Sequence, residues 1–403
     1  MSDTDNEEII EIETEHEKRV RIPDEKQIES FGRVKVSWIA AGVLAAAAIV
    51  LTAWVAVSYF GRDDTYAAEK GKDVVTEETD PKEPMESVED IGKTAEETEG
   101  EAVSENTLNY REIHSLDDFG DEKWNEGNLM YKGEIYSYDP ELQTYLFMGI
   151  DNDHMVGPAV DGYSGGQSDG MFLMVVDKTG QKVDIVAINR NTVVPVDVYD
   201  EDGSFLARKD YQICIQHGYG DGMKLSCMRS VEAVQRLFRD IPIAGYLSLN
   251  MGGLPAVNDA VGGVEITPIQ SIDWRDAGIK EGETVNLNGK QAYSYVRYRD
   301  VNEFASADGR LDRQKQYMAA FAEKILAEPS LAKKVINAGS DYIVASIDLS
   351  RIADSARDLD FDPDDIYTIP GETKLAGEHE AYYPDEEGLI ELILDVFYKK
   401  VSP

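Results

Sequence analysis

GGQSDGMFLMVVDKTGQKVDIVAINRNT, residues 165–192, reads as loop, strand, tight turn and strand. Phe172, Met174 and Val176 alternate with Leu173, Val175 and Asp177, Lys178-Thr179-Gly180 punctuates, and residues 183–188 resume the apolar pattern. This spacing predicts two neighbouring buried strands joined by a short turn. Such a hairpin brings Asp169, at its entrance, and Arg190, at its exit, to the same end of a sheet. An acid and a base placed there suit a metal-bound phosphate, because the cation neutralises the phosphate and a guanidinium forks its oxygens. A plain surface ion pair is the commoner use of such a pair, so the neighbouring segments decide between the two.

Around the hairpin the pattern alternates. The run TYLFMGI, residues 144–150, is a buried strand followed at once by Asp151, an acid well placed for a site. Val231, Val234 and Leu237 have helical spacing in residues 230–240, with Pro242 marking the end. Residues 246–250 are sheet-like; Leu254, Val257 and Val261 suit a helix, Gly262-Gly263 breaks it, and residues 264–267 return to strand. Strands alternating with helices argue for an α/β layered domain. Residues 110–138 suggest a short strand or hairpin at the domain edge. In the last part, residues 366–369 form a further strand ended by Pro370-Gly371, and Leu389, Leu392, Ile393 and Val396 mark a closing helix. No chemistry is assigned to residues 331–403.

Arginines gather in the second half. If YVRYR, residues 295–299, is extended, period two places Arg297 and Arg299 on one face. A helix is expected from Arg310, with Gln314 four residues on and so on the same side. Free amides and the dipole attract anions to such a helix start. Arg190, Arg297, Arg299, Arg310 and Arg313 are therefore a candidate phosphate or pyrophosphate grip. The competing reading is that they balance surface carboxylates.

That competition is sharpened by composition: over 403 residues the formal net charge is −39. So acidic a surface repels phosphate backbones and argues against nucleic-acid binding. Two cysteines, Cys214 and Cys227, exclude a disulfide-dense scaffold and a four-thiolate zinc site, and spacing leaves open whether they pair. His114, His154, His217 and His379 are scattered, with no His-Glu-x-x-His. Residues 162–166, GYSGG, satisfy the serine-hydrolase pattern around Ser164, but that pattern requires a preceding strand and a following helix. Here a polar, Gly- and Pro-bearing loop precedes it and a strand follows.

Residues 1–35 are polar and charge-rich, consistent with a disordered cytoplasmic tail. Residues 36–60, VSWIAAGVLAAAAIVLTAWVAVSYF, carry no charge over about 25 residues, enough for one transmembrane helix. Trp38 and Tyr59 flank it as interfacial aromatics do. The run is too long and too far from Met1 for a cleaved signal peptide. Lys18, Arg19, Arg21, Lys26, Arg33 and Lys35 precede it, whereas Arg62, Lys70 and Lys72 follow among more numerous acids, which places the N-terminus in the cytoplasm. Residues 61–109 read as an acidic, self-repelling extracytoplasmic linker. Residues 110–403 then form an extracellular domain, where cytosolic nucleotides are absent.

The order TYLFMGID, QSDGMFLMVVD, VAINRNT, HGYGDG, VGGVEI, YVRYRD and GRLDRQ resembles the LytR-CpsA-Psr family of Gram-positive envelope proteins, from about Thr144 to the C-terminus. The resemblance implies a three-layer α/β/α domain with a central mixed sheet and an apolar tunnel for a polyprenyl-pyrophosphate-linked polymer. It implies transfer of an anionic glycopolymer, of teichoic acid or capsule type, to peptidoglycan. It also implies Asp169 and Arg190 as catalytic residues, Mg²⁺ or Mn²⁺ held by Asp169 and Asp151, and pyrophosphate contacts from Arg190, Arg297, Arg299, Arg310 and Gln314. Three positions depart from the family pattern: Gln167 stands for an arginine, Asn191 for an aspartate and Cys214 for a lysine. Each removes a charge. Two rival functions share the fold, a non-catalytic binder or sensor of the lipid-linked polymer and a pyrophosphatase in which water replaces the sugar hydroxyl.

Overall fold

The computed structural model describes residues 109–119, 126–159, 165–177, 182–300, 302–347, 361–377 and 379–401. The expected tail, transmembrane run and nearly all of the linker, together with Ser164, lie outside these residues. Among the described residues, no helix is long and apolar enough to cross a membrane.

Three short strands open the described part, β1 (Tyr110–Glu112), β2 (Asn128–Tyr131) and β3 (Glu134–Tyr138). They precede the long strands β4 (Leu142–Ile150), β5 (Ser168–Asp177) and β6 (Lys182–Ile188). A hairpin of β7 (Val193–Tyr199) and β8 (Phe205–Gln212) leads to helix α1 (Lys224–Leu237), β9 (Gly245–Asn250) and α2 (Leu254–Ala260). Next come β10 (Val264–Ile266), β11 (Val285–Leu287), α3 (Gly289–Arg297), α4 (Ser306–Ala327) and α5 (Leu331–Gly339). The chain closes with β12 (Ile343–Ala345), β13 (Ile366–Thr368), β14 (Gly371–Ala376), β15 (His379–Pro384), α6 (Glu386–Phe397) and β16 (Tyr398–Lys400).

The central sheet has the order β12-β9-β4-β5-β6-β13. It is mixed: β4 and β6 run antiparallel to β5, whereas β9 pairs parallel with β4 and β13 parallel with β6. Alternation along the strands divides the core in two. Tyr145, Phe147, Phe172 and Met174 face α2, α3, α4 and α5, while Leu146, Met148, Leu173 and Val175 face α1, α6 and β7. A sheet covered on both faces requires apolar residues at every position, which is why β4 and β5 read as almost unbroken apolar runs. The edge hairpin expected near residue 130 exists as β2–β3, extended by β1 and β16 into a second, four-stranded sheet.

One expectation fails. Residues 295–297 are helical, not extended, because α3 runs to Arg297 before Tyr298 turns the chain out with φ −51° and ψ 133°. The helix is set from its start: Asn288 accepts from the Gln291 N–H, and the Gln291 side chain accepts from the Asn288 N–H. This reciprocal cap satisfies two otherwise orphaned donors. Ala292, Tyr293, Tyr295 and Val296 are then buried, Tyr293 and Val296 one turn apart. The expected helix at Arg310 is present and begins earlier, at Ser306.

The loop before β5 is tied down by His217, which is 1% exposed, with Nδ1 3.0 Å from the Gly166 carbonyl oxygen. Burial pushes this imidazole down to about 4, so it is neutral in the folded chain. Between pH 6.5 and about 4 the unfolded chain therefore takes up a proton that the folded chain refuses, and stability falls as pH falls through that window. His217→Gln is expected to remove this component, at most about 1.4 kcal/mol per pH unit, as read from urea unfolding across the window. Asn288→Ala is expected to lower stability by about 1 kcal/mol, seen as a lower denaturation midpoint with an unchanged slope.

Candidate functional site

The antiparallel register that pairs Met171 with Ile188, carried two residues further, sets Asp169 against Arg190 at the same end of the sheet. Arg190 Nε lies 2.8 Å from Asp169 Oδ1, and Arg310, one turn into α4, brings Nη1 to 3.7 Å from Asp169 Oδ2. Arg299 and Arg297 add their positive fields to the same carboxylate. Four of the five arginines expected to grip a phosphate thus act on one acid, supplied by the β5–β6 hairpin, the end of α3, the residues after it and the start of α4. The expected pairing of Arg297 with Arg299 survives by a different route: a helix end followed by an extended residue, not a strand face.

The cluster is dry. Asp169, Arg297 and Arg310 are at most 3% exposed. Burial drives the Asp169 carboxyl upward against the pull of Arg190 and Arg310. Burial also lowers Arg297 to about 8 and Arg310 to about 9, and it lowers Arg299 as well. Desolvation works against Arg190 too, yet Asp169 and Cys214 hold its guanidinium above the ordinary range. Guanidiniums stripped of water in this way gain most from phosphate oxygens, which replace the lost hydrogen-bond partners in bidentate geometry.

Asp151 follows β4 and accepts the Gln167 N–H at 2.6 Å through Oδ1. Gly166 makes that approach possible: its φ is +78°, and a Cβ there would lie 2.9 Å from Asp151 Oδ1 and 2.8 Å from Ile150 Cγ2. Burial, with the charge of Asp169 second, pushes Asp151 up to about 8. The two acids are hard oxygen donors, and among the described residues neither Asp169 oxygen has an aligned hydrogen bond. Among those residues no cluster of three or more His, Cys, Asp or Glu assembles. One or two carboxylates with substrate phosphates completing the shell is the usual arrangement for Mg²⁺, so Asp169 and Asp151 fit a cation held jointly with a phosphate.

The neutral departures are not scattered. Gln167 Oε1 accepts from Arg190 Nη2, and Cys214 Sγ lies 2.8 Å from that same nitrogen. Asn191 instead serves the backbone: its N–H donates to Asn189 Oδ1 at 2.9 Å and its carbonyl accepts the Tyr382 N–H at 2.8 Å. Burial pushes the Cys214 thiol up to about 11, which keeps it a neutral filler. Cys214 and Cys227 are both buried and both free.

Several contacts were outside the reach of motif reading. Arg299 Nη2 lies 2.7 Å from Glu380 Oε2 on β15, and its Nε donates to Ser306 Oγ at 2.7 Å. Glu380 Oε1 also accepts the Ala305 N–H at 2.8 Å. Arg297 Nη1 is 3.1 Å from Asp153 Oδ1, which accepts the Tyr293 hydroxyl at 2.9 Å. Gln314 donates to the Val296 carbonyl at 3.4 Å, linking α4 to the end of α3. Arg313 does not join the grip: it donates to the Tyr295 carbonyl at 2.9 Å and to the Tyr298 carbonyl, strapping the end of α3. The signal available in the sequence was weak, since Glu380 and Asp153 are two acids among 78.

Comparison with known proteins points to one family. The family model described as the LytR_cpsA_psr family matches residues 106–391. The chain is 26% identical over 249 residues to the polyisoprenyl-teichoic acid–peptidoglycan teichoic acid transferase TagV of Bacillus subtilis, covering 59% of this chain and 58% of that relative. It is 26% identical over 230 residues to the corresponding transferase TagU of Enterococcus faecalis, covering 55% of this chain and 68% of the relative. The crystal structure of protein gbs0355 from Streptococcus agalactiae shares the fold at a TM-score of 0.50 and 22% identity, covering 64% of this chain and 86% of that one. The match to TagV spans under two thirds of that relative's length. With its family model matched across the hairpin, the arginine helices and most of the C-terminal segment, this chain belongs to the LytR-CpsA-Psr family.

Proposed function

We propose that this protein transfers an anionic glycopolymer from a polyprenyl pyrophosphate carrier to peptidoglycan, at the outer face of a membrane to which residues 36–60 anchor it. The observation that carries the reading is the convergence of Arg190, Arg297, Arg299 and Arg310 on the buried Asp169. A largely buried ring of guanidiniums is matched to a diphosphate, whose charge grows on the leaving oxygen during transfer. Relatives named as teichoic acid transferases point to teichoic acid as the polymer class.

In this reading a sugar hydroxyl of peptidoglycan forms a bond to the phosphorus bearing the glycan. The phosphoanhydride bond breaks, polyprenyl phosphate leaves with the electron pair, and the hydroxyl proton passes to water. Arg190 and Arg310 bind and orient the diphosphate from opposite sides of Asp169, while Arg299 and Arg297, fixed by Glu380 and Asp153, close the ring. Mg²⁺ or Mn²⁺ held by Asp169 and Asp151 would supply Lewis-acid neutralisation of the phosphate oxygens. No nucleotide is required, since the donor bond itself stores the energy.

A second reading, a non-catalytic binder of the same lipid, is favoured by Gln167 and Cys214, because both neutral groups contact Arg190 where added positive charge would strengthen transition-state stabilisation. The assay that separates the readings uses the full chain, a glycan-bearing polyprenyl pyrophosphate, Mg²⁺ and peptidoglycan. Polyprenyl phosphate should be released and peptidoglycan should acquire the glycan, with turnover lowered about 100-fold or more in Asp169→Ala and Arg190→Ala. Full turnover in either variant removes that residue from catalysis. Glycan phosphate appearing free in solution identifies a hydrolase, and tight binding without release identifies the binder.

A further inference from the structure

Bare apolar side chains border the arginine ring, and the proposed chemistry does not use them. Phe304 is 57% exposed, Met155 58% and Leu375 66%. Each is tied to the ring through a neighbour. Leu375 stands opposite Glu380 in the β14–β15 register, and directly opposed residues share a face, so it lies beside the carboxylate that holds Arg299. The other oxygen of Glu380 accepts the Ala305 N–H at 2.8 Å, which sets Phe304, the preceding residue, next to the same ion pair. Ala305 adopts φ 58°, a left-handed backbone poorly suited to alanine. Such strain persists only where the surroundings fix it, and here it leaves Phe304 at the surface. Met155 borders Arg297: Asp153 holds that arginine, the His154 carbonyl accepts from Asn250 at the end of β9, and the Val156 N–H donates to the Asp341 carbonyl ahead of β12.

All three therefore sit at the end of the central sheet where β4 finishes and β5 begins. Large apolar side chains left bare around a charged site mark a surface that meets another apolar phase. The chain enters its described part at the opposite end: Tyr110 on β1 pairs with Asn128, and Asn128 with Ser137, just before β4 starts. Between that entry and the apolar run 36–60 lie residues 61–109, a length that extends to roughly 160 Å at most. The nine residues of β4 span about 30 Å, so the chain is long enough for the site end to turn back toward a membrane holding the run. A diphosphate carried on a lipid stays at the bilayer surface, and arginines that grip it must come to that surface.

We propose that Phe304, Leu375 and Met155 form a rim that seats the site end of the domain on the lipid bilayer, with Phe304 and Leu375 entering the headgroup region beside Arg299. The choice of a bilayer as partner rests on the membrane-anchored reading given above. Aromatic and aliphatic side chains enter the boundary between headgroups and acyl chains favourably, with binding that grows with the apolar area covered. Seating the rim there brings Arg299 to the depth of the lipid phosphates, so a lipid diphosphate reaches the ring without crossing open water.

The test uses the full chain in lipid nanodiscs, with a fluorophore attached at Leu375→Cys or at Phe205→Cys. Phe205 is the control: it is equally bare, and it lies at the end of the β7–β8 hairpin away from Val193 and Gln212. Cys214 and Cys227 are buried and stay unlabelled. Lipids bearing a nitroxide at the headgroup are expected to quench the label at 375 about threefold or more over the label at 205. Equal quenching at the two positions overturns the rim. A label at 375 that lipids leave unquenched, and that is shielded only in discs holding two copies, assigns the face to a second copy of the chain and overturns it too. In a second arm, Phe304→Ser combined with Leu375→Ser, both at exposed positions, should leave the thermal midpoint in place. Release of polyprenyl phosphate from a long-chain donor embedded in the disc should slow about tenfold, with a short-chain, water-soluble donor within about twofold of the unaltered chain. Equal slowing with both donors overturns the rim. If the unaltered chain releases prenyl phosphate from neither donor, the transfer reading fails while the quenching ratio still decides the rim. A chain that stays out of the discs overturns the anchored reading and the rim together.

Discussion

A buried carboxylate, Asp169, held between two guanidiniums is the constraint around which the rest of this fold is arranged. Buried ion pairs are poor sources of stability, because the charges lose hydration that mutual attraction only partly restores. Their retention asks for a rigid frame. Here the frame is the β5–β6 register on one side and the α3–α4 junction on the other, each packed against the face of the sheet that buries Phe172 and Tyr295. Arg313 belongs to the frame, since it binds the carbonyls at the end of α3 and so sets where Arg297 and Arg299 emerge.

Gln167 and Cys214 modify this balance more than their neutrality alone suggests. Both contact Arg190, so its guanidinium is shared among a carboxylate, an amide oxygen and a thiol. Neither of these two neighbours adds a positive charge to the site, while the geometry that aims the guanidiniums is fixed by the β5–β6 register. Positioning and charge are thus separable around Arg190.

The hairpin was legible because alternation and a turn tripeptide agree, and a short antiparallel pair leaves little freedom in where Asp169 and Arg190 meet. Arg310 and Gln314 were legible for the same reason: four-residue spacing is a local property of a helix. The YVRYR segment was misjudged as extended because aromatic and β-branched residues favour strands, whereas the decisive signal lay upstream in the Asn288 and Gln291 cap. Glu380 was beyond reach for another reason. It meets Arg299 across 81 residues of sequence, and no local pattern encodes such a contact.

That long-range contact has a consequence for how the protein comes into being. The strand β13, which borders β6, and Glu380, which steadies Arg299 and the backbone at Ala305, both lie in the last tenth of the chain. During vectorial synthesis, the emerging polypeptide holds its arginines long before their final anchor arrives. Closing so distant a loop is slow relative to local helix formation. The ring of cations is therefore completed as one of the last events of maturation, and a chain cut short before residue 380 leaves Arg299 without its carboxylate anchor.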